Sequence, residues 1–214
     1  MPRDYKPVGF VHRAIFMAKT ITSKELNAAK LSNRTQGDYN LLKKVIKSHP
    51  RIAEANDEEL FMKIAVIDST NSTHLSTAKD KISLKELAKI IMGIKDIDER
   101  IKNGDAKVVE EIVKKTKEKY EYNPFSFATK FCCYHNRFVH RRDDYSIYDS
   151  RVKKKLPDYE GCTATKNKLN TWRNNGEYEK FNDCVWSVLE TNKLTGEKFP
   201  RQKLDRLLWS KTAD

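Results

Sequence analysis

Two residues carry the chemistry that can be read first. Lys130 closes the segment Pro124-Phe-Ser-Phe-Ala-Thr-Lys130, which reads as a proline-led turn entering a helix of about ten residues. Asp149 closes Ser146-Ile-Tyr-Asp149, 19 positions further on, at the start of another helix. A lysine amine is a nucleophile only once it has lost its proton. A helix N-terminus disfavours a cation, and burial lowers a lysine pKa further. The reading places Lys130 in the first turn of its helix, where the first effect is largest. Such an amine can attack an electrophilic carbon and form a Schiff base. A carboxylate beside that carbon stabilises positive charge as it develops. Asp149 is also a natural N-cap for the helix that follows it. The two roles agree, because a capped carboxylate is held ionised and oriented.

The elements that must position this pair are helical. Thr22-Ser-Lys-Glu25 and Ser83-Leu-Lys-Glu86 are capping boxes that open amphipathic helices. Gly37-Asp38 reads as the start of a second helix, stopped at His49-Pro50, and Asn56 as the cap of a third whose apolar face is Leu60, Phe61, Ile64, Ala65 and Ile67. Asp68-Ser-Thr-Asn-Ser-Thr-His74 has no periodicity and reads as a loop or a helix junction. Asn103-Gly104 stops one helix and Asp105 caps the next, to about Lys119, with Glu110/Lys114 and Glu111/Lys115 at i,i+4 spacing. Ile147-Tyr148 is an extended link. A helix from Ser150 to Leu156 ends at Pro157, and helices near 165–173, 177–191 and 200–209 finish the chain. The expected fold is all-α, with about ten short helices in one unit spanning 1–214.

Composition narrows the function classes. Seven Gly and six Pro are too few for a loop-rich sandwich or a disordered chain. The net charge of +12 and a pI near 9.4 point to a polyanionic partner, most often nucleic acid. Residues 1–20 hold no apolar run of signal-peptide length, and no stretch approaches the ~18 apolar residues of a membrane span. Cys132, Cys133, Cys162 and Cys184 form no C-x-x-C pair, which argues against a zinc ribbon or an iron–sulfur loop; reduced thiols in a cytoplasmic protein are expected. His74, His135 and His140 have no ligand spacing and read as loop or surface histidines. Neither a metal nor an organic cofactor is expected.

Together, the turn, the Thr-Lys pair and the aspartate about twenty residues on resemble the helix-hairpin-helix DNA glycosylase superfamily, in particular its 8-oxoguanine branch. The likeness is densest over 122–156. In that family a hairpin of the form G-x-G-T-K supplies the lysine. Here it would read Ser126-Phe-Ala-Thr-Lys130, with Ser126 and Ala128 in place of the two glycines. The resemblance implies two packed lobes with a cleft between them, the helix-hairpin-helix and catalytic segment at about 105–156, and a monomer acting on lesion-containing double-stranded DNA. It implies a bifunctional glycosylase/AP lyase, in which a flipped purine lies in a pocket, Asp149 stabilises charge at the sugar C1′, and Lys130 attacks that carbon. A base-excision repair enzyme would be cytoplasmic, on the nucleoid if the source is prokaryotic.

The resemblance also assigns supporting residues. The backbone amides of Ser126, Phe127 and Ala128 would hold a phosphate, since neither glycine replacement removes an N–H. Arg151 and the run Lys153-Lys-Lys155 would contact the DNA backbone. Asn71 would fill the space left by the flipped base. Cys133 and Tyr134, one turn past the lysine, and Asp205 and Trp209, four apart near the C-terminus, would line the base pocket, Trp209 by stacking and Asp205 by hydrogen bonds. The rival readings are a non-enzymatic DNA-binding module on the same fold, an interaction protein whose charge binds RNA or acidic partners, and a glycosylase directed at modified foreign DNA.

Overall fold

A computed structural model describes residues 18–73, 75 and 81–210. The expectations for 1–17 and for His74 lie outside the described residues. Among those residues there are eleven α-helices and no strand, so the chain is all-α. The one extended pairing is an isolated bridge between Lys19 and Tyr159.

Local chemistry sets most helix starts. Both capping boxes form, with Thr22 and Glu25 opening α1 (Ser23–Ala28) and Ser83 and Glu86 opening α4 (Leu84–Met92). Asn56 makes a third with Glu59 at the head of α3 (Asp57–Asn71). The second helix, α2 (Asn33–Ser48), starts a turn earlier than Gly37-Asp38, because the Ser32 hydroxyl accepts the Thr35 amide. Gly93 ends α4, and a separate short α5 (Ile97–Lys102) follows. The sequence reading did not divide these. In α3, Leu60, Ile64 and Ile67 are buried but Phe61 is exposed.

The helical pair that matters most is α6 (Lys107–Tyr120) and α7 (Phe125–Phe138). The Asp105 carboxylate accepts the Lys107 amide at 3.0 Å at the head of α6. The expected Glu110–Lys114 pair is not formed; Glu110 instead accepts the Glu179 amide at 3.1 Å, and Lys115 pairs with Glu111 at 3.0 Å. The turn between α6 and α7 is Glu121 to Pro124, earlier than the sequence reading placed it. Asn123 Oδ1 accepts the Phe125 amide at 3.0 Å, so Asn-Pro leads the chain into the helix, with Pro124 at the cap position and Phe125 the first helical residue. Lys130 is therefore the sixth residue of α7, in its second turn. The dipole of the helix end is weaker there, and burial must do what the helix start was expected to do.

Nearly all of α7 is buried. Its charged members show what burial demands: Arg137 is paired with Asp143 at 2.8 Å, and His135 bonds the Phe131 carbonyl at 2.9 Å. His135 is thus a core residue, not a surface one, and burial pushes its pKa down to about 3. His140 is half-buried. After α7 the chain turns through Arg141, which sits in the left-handed region, and continues without regular structure to Asp149, then through α8 (Ser150–Lys155), a 3-10 turn (Leu156–Asp158), α9 (Lys166–Asn175), α10 (Tyr178–Thr191) and α11 (Pro200–Ser210). α11 packs on α1, α8 and α10.

Candidate active site

Hydrogen bonds from α7 and α10 bring Asp149 near Lys130. Ser126 Oγ donates to the Tyr148 carbonyl at 3.0 Å, and Thr129 Oγ1 accepts the Tyr148 amide at 3.1 Å. On the other side, the Ser146 amide donates to Tyr178 OH at 2.8 Å and to Asn182 Oδ1 at 3.0 Å. The segment 145–149 is thereby laid along α7 in a fixed register, ending where Asp149 caps α8. Its Oδ1 accepts the amides of Arg151 and Val152 at 2.9 and 2.8 Å. Its Oδ2 accepts Trp209 Nε1 from α11 at 3.0 Å.

The Lys130 side chain is only 3% exposed. Its Nζ donates to two uncharged oxygens, the Asn71 carbonyl at 3.1 Å and Ser126 Oγ at 3.3 Å. Burial lowers its pKa, and the carboxylates of Asp149, Asp205 and Asp68 only partly oppose that. The shift is toward the neutral amine, the form that nucleophilic attack requires.

Two concavities meet at this pair. The first, about 410 Å³, is lined by Tyr39, Tyr134, Asp205 and Arg206. The second, about 490 Å³, is lined by Ser126, Tyr148, Lys153 and Arg173. Both include Asn71, Lys130, Asp149, Arg151 and Trp209. A larger hollow of about 780 Å³ lies elsewhere, between Arg51, Asp98 and His140. Its exposed charges pair locally, as in Lys102–Glu99 and Arg51–Glu54, so size alone does not mark a site.

The first concavity holds a second unusual carboxyl. Asp205 Oδ1 is buried with no hydrogen-bond partner among the described residues. Burial, and then the nearby charge of Asp149, push its pKa up to about 7. Tyr134 OH donates to Asn71 Oδ1 at 2.5 Å, tying α7 to the end of α3. On the opposite wall, Gln202 bonds Tyr39 OH, and the Arg206 guanidinium lies 5.6 Å from the Tyr39 ring.

Of the residues expected from sequence, Lys130, Asp149, Asn71, Ser126, Arg151, Tyr134, Asp205 and Trp209 come together here. Three do not. Cys133 lines neither concavity; its thiol faces the Tyr145 carbonyl at 3.4 Å. Phe127 and Ala128 are buried in the core, and the Ala128 amide is spent on the Pro124 carbonyl at 2.8 Å. The expected phosphate hairpin is instead the first turn of a buried helix. Asn71 is not on a loop: α3 runs to Asn71, and Ser72 caps it in the left-handed region. Trp209 has one face covered by the Arg151 guanidinium, 3.9 Å from the ring. Tyr39, Gln202 and Arg173 were not foreseen. Gln202, Asp205 and Trp209 form an i, i+3, i+7 stripe that points to Gln202, but no local signal marks Tyr39 or Arg173.

Residues 18–142 match the family HI_0787_N, described as an N-terminal domain. The chain belongs to this family. The family segment includes Asn71 and Lys130 and stops short of Asp149, Asp205 and Trp209. An uncharacterised protein of Haemophilus influenzae is 31% identical over 149 residues, covering 67% of this chain and 64% of the relative. The chain thus matches a little under two thirds of that relative's length. No solved structure matches the chain.

Proposed function

We propose that this protein is a DNA glycosylase with AP lyase activity, acting on a damaged or modified purine of the 8-oxoguanine kind in double-stranded DNA. On this reading the helices form a helix-hairpin-helix glycosylase-like fold of two lobes, with 105–156 as its catalytic segment. The observation that carries it is the buried Lys130 amine, with its lowered pKa, opening into the same concavities as the capped Asp149 carboxylate.

The chemistry follows from these groups. A target base cannot be reached inside the duplex, so it is flipped out, and the concavity of about 410 Å³ receives it. Asp149, oriented by two amides and an indole, stabilises positive charge at C1′. The neutral Lys130 amine attacks C1′; the bond to the base nitrogen breaks, and its electron pair leaves with the purine, which takes up a proton. The sugar ring then opens to a Schiff base with Nζ. Loss of a C2′ proton expels the 3′ phosphate and cuts the strand. Asp205, close to half-protonated near neutral pH, can meet either a donor or an acceptor on the purine edge.

The non-enzymatic alternative is favoured by the missing hairpin glycines. It gives no reason for a buried lysine amine to open into the same concavities as a capped carboxylate. Borohydride reduction with an 8-oxoguanine duplex tests the choice. A covalent protein–DNA complex should form, and Lys130→Gln should abolish it. Trapping that persists in the variant removes Lys130 as nucleophile.

A further inference from the structure

The absence of a phosphate hairpin at 126–128 leaves open how a strand is held beside the reacting sugar. The second concavity answers it. α8 and α9 pack together, and from them Lys153 and Arg173 reach the same hollow as Lys130 and Asp149. Arg173 lies in the last turn of α9, where the helix dipole favours a cation. Neither the Arg173 guanidinium nor the Lys153 amine makes a hydrogen bond or an ion pair among the described residues. Both residues are half-buried and line one hollow, unlike basic residues out on the exposed surface. The carboxylate that lines this hollow, Asp149, is already committed to two amides and an indole. Tyr148 also lines the hollow; it is 3% exposed, its ring packs against Phe125 and Phe181, and its hydroxyl has no hydrogen-bond partner among the described residues. Arg173 is close enough to act on that hydroxyl electrostatically. Two unpaired cations from separate helices therefore converge on a concave space of about 490 Å³, with the buried Tyr148 hydroxyl within electrostatic reach of Arg173. Such a convergence suits an anion.

We propose that Arg173, with Lys153, seats a backbone phosphodiester of the bound DNA strand, next to the sugar whose C1′ faces Lys130. This rests on the DNA reading above; Lys153 was already expected to contact the backbone, and Arg173 is the grip that the sequence did not reveal. The phosphate enters from the α8–α9 side, while the base occupies the neighbouring concavity; Lys130 and Asp149 lie where the two spaces meet. Phosphate contacts of this kind fix register without reading sequence.

The test is equilibrium binding of the full chain to an 8-oxoguanine duplex across a salt series, with Arg173→Ala, Arg173→Lys and duplexes carrying one methylphosphonate on either side of the lesion. Arg173→Ala should bind roughly tenfold more weakly at low salt, with the log–log salt slope reduced by about one. One methylphosphonate position should weaken the unmodified protein but leave Arg173→Ala unaffected. Arg173→Lys should recover part of the loss. An Arg173→Ala protein with unchanged affinity and slope overturns the seat, even where borohydride still traps the complex and the glycosylase reading stands. Loss of binding on Arg173→Ala without any trapping in the unmodified protein keeps the seat and removes the lyase chemistry. A chain that binds neither lesion nor plain duplex overturns both.

Discussion

The indole Nε1 of Trp209 donates to Asp149 Oδ2 at 3.0 Å, so the last helix is fastened to the carboxylate that caps α8. The bond joins residues 60 positions apart and closes one side of the site. Trp209→Phe keeps most of the apolar contact and removes the donor. It should lower stability by about 1–2 kcal/mol in urea unfolding, the usual cost of unpairing an ionised acceptor. Base release in a single turnover should slow more than DNA binding weakens. Unchanged stability together with unchanged turnover would show that this bond orients nothing.

Lys130 makes a pH prediction with a definite sign. Its folded pKa lies below the ordinary lysine value, so the unfolded chain binds the extra proton more readily. Stability should then rise with pH from the lowered folded value up to the unfolded one near 10.5. Lys130→Met removes the buried amine and should be more stable than the parent at pH 7, by about 1 kcal/mol, with the difference shrinking at higher pH. Denaturant melts at several pH values measure this. A less stable variant at neutral pH would mean that the two hydrogen bonds from Nζ outweigh the cost of burying it.

Asp205 behaves in the opposite sense. Its folded pKa is raised from 3.8 to about 7, so the folded chain holds the proton longer. The stabilising contribution is fully present below 3.8 and is lost as the pH rises through about 7. Asp205→Asn keeps the shape and cannot ionise. It should flatten the fall in stability between pH 5 and pH 8 seen in the parent, and shift the alkaline side of the activity profile. A parallel pair of stability curves would place the charge elsewhere.

How much of this was legible follows from the range of each signal. Capping boxes act over three residues, and Thr22/Glu25 and Ser83/Glu86 were readable and formed. The Asn123-Pro124 start of α7 was equally local, but the likeness to a glycine hairpin drew the boundary toward Lys130. The Thr-Lys pair could be read as a pattern, yet its physical reason is tertiary: Thr129 holds the Tyr148 amide, and that register delivers Asp149. Cys133 was expected at the pocket from helical periodicity alone. Periodicity gives a face but not which neighbour covers it, and the Tyr145 backbone covers this one. Tyr39 and Arg173 reach the site from helices far away in sequence, and the residues beside them carry no trace of that meeting.

Asp149 combines two jobs that substitution can separate. Oδ1 caps α8 through the Arg151 and Val152 amides, which a neutral amide oxygen can also do. The negative charge is what stabilises a cationic sugar carbon, and an amide lacks it. Asp149→Asn should therefore keep the helix and DNA binding while slowing base release by orders of magnitude. Asp149→Ala loses the charge and the cap, and should in addition cost about 1–2 kcal/mol of stability. Circular dichroism, urea melts and single-turnover base release on the two variants give the comparison. If Asn and Ala slow release equally and only Ala destabilises, charge and cap act separately. If Asn retains full activity, Asp149 is a cap alone, and the carboxylate that supports cleavage must be sought at Asp205, across the same concavity.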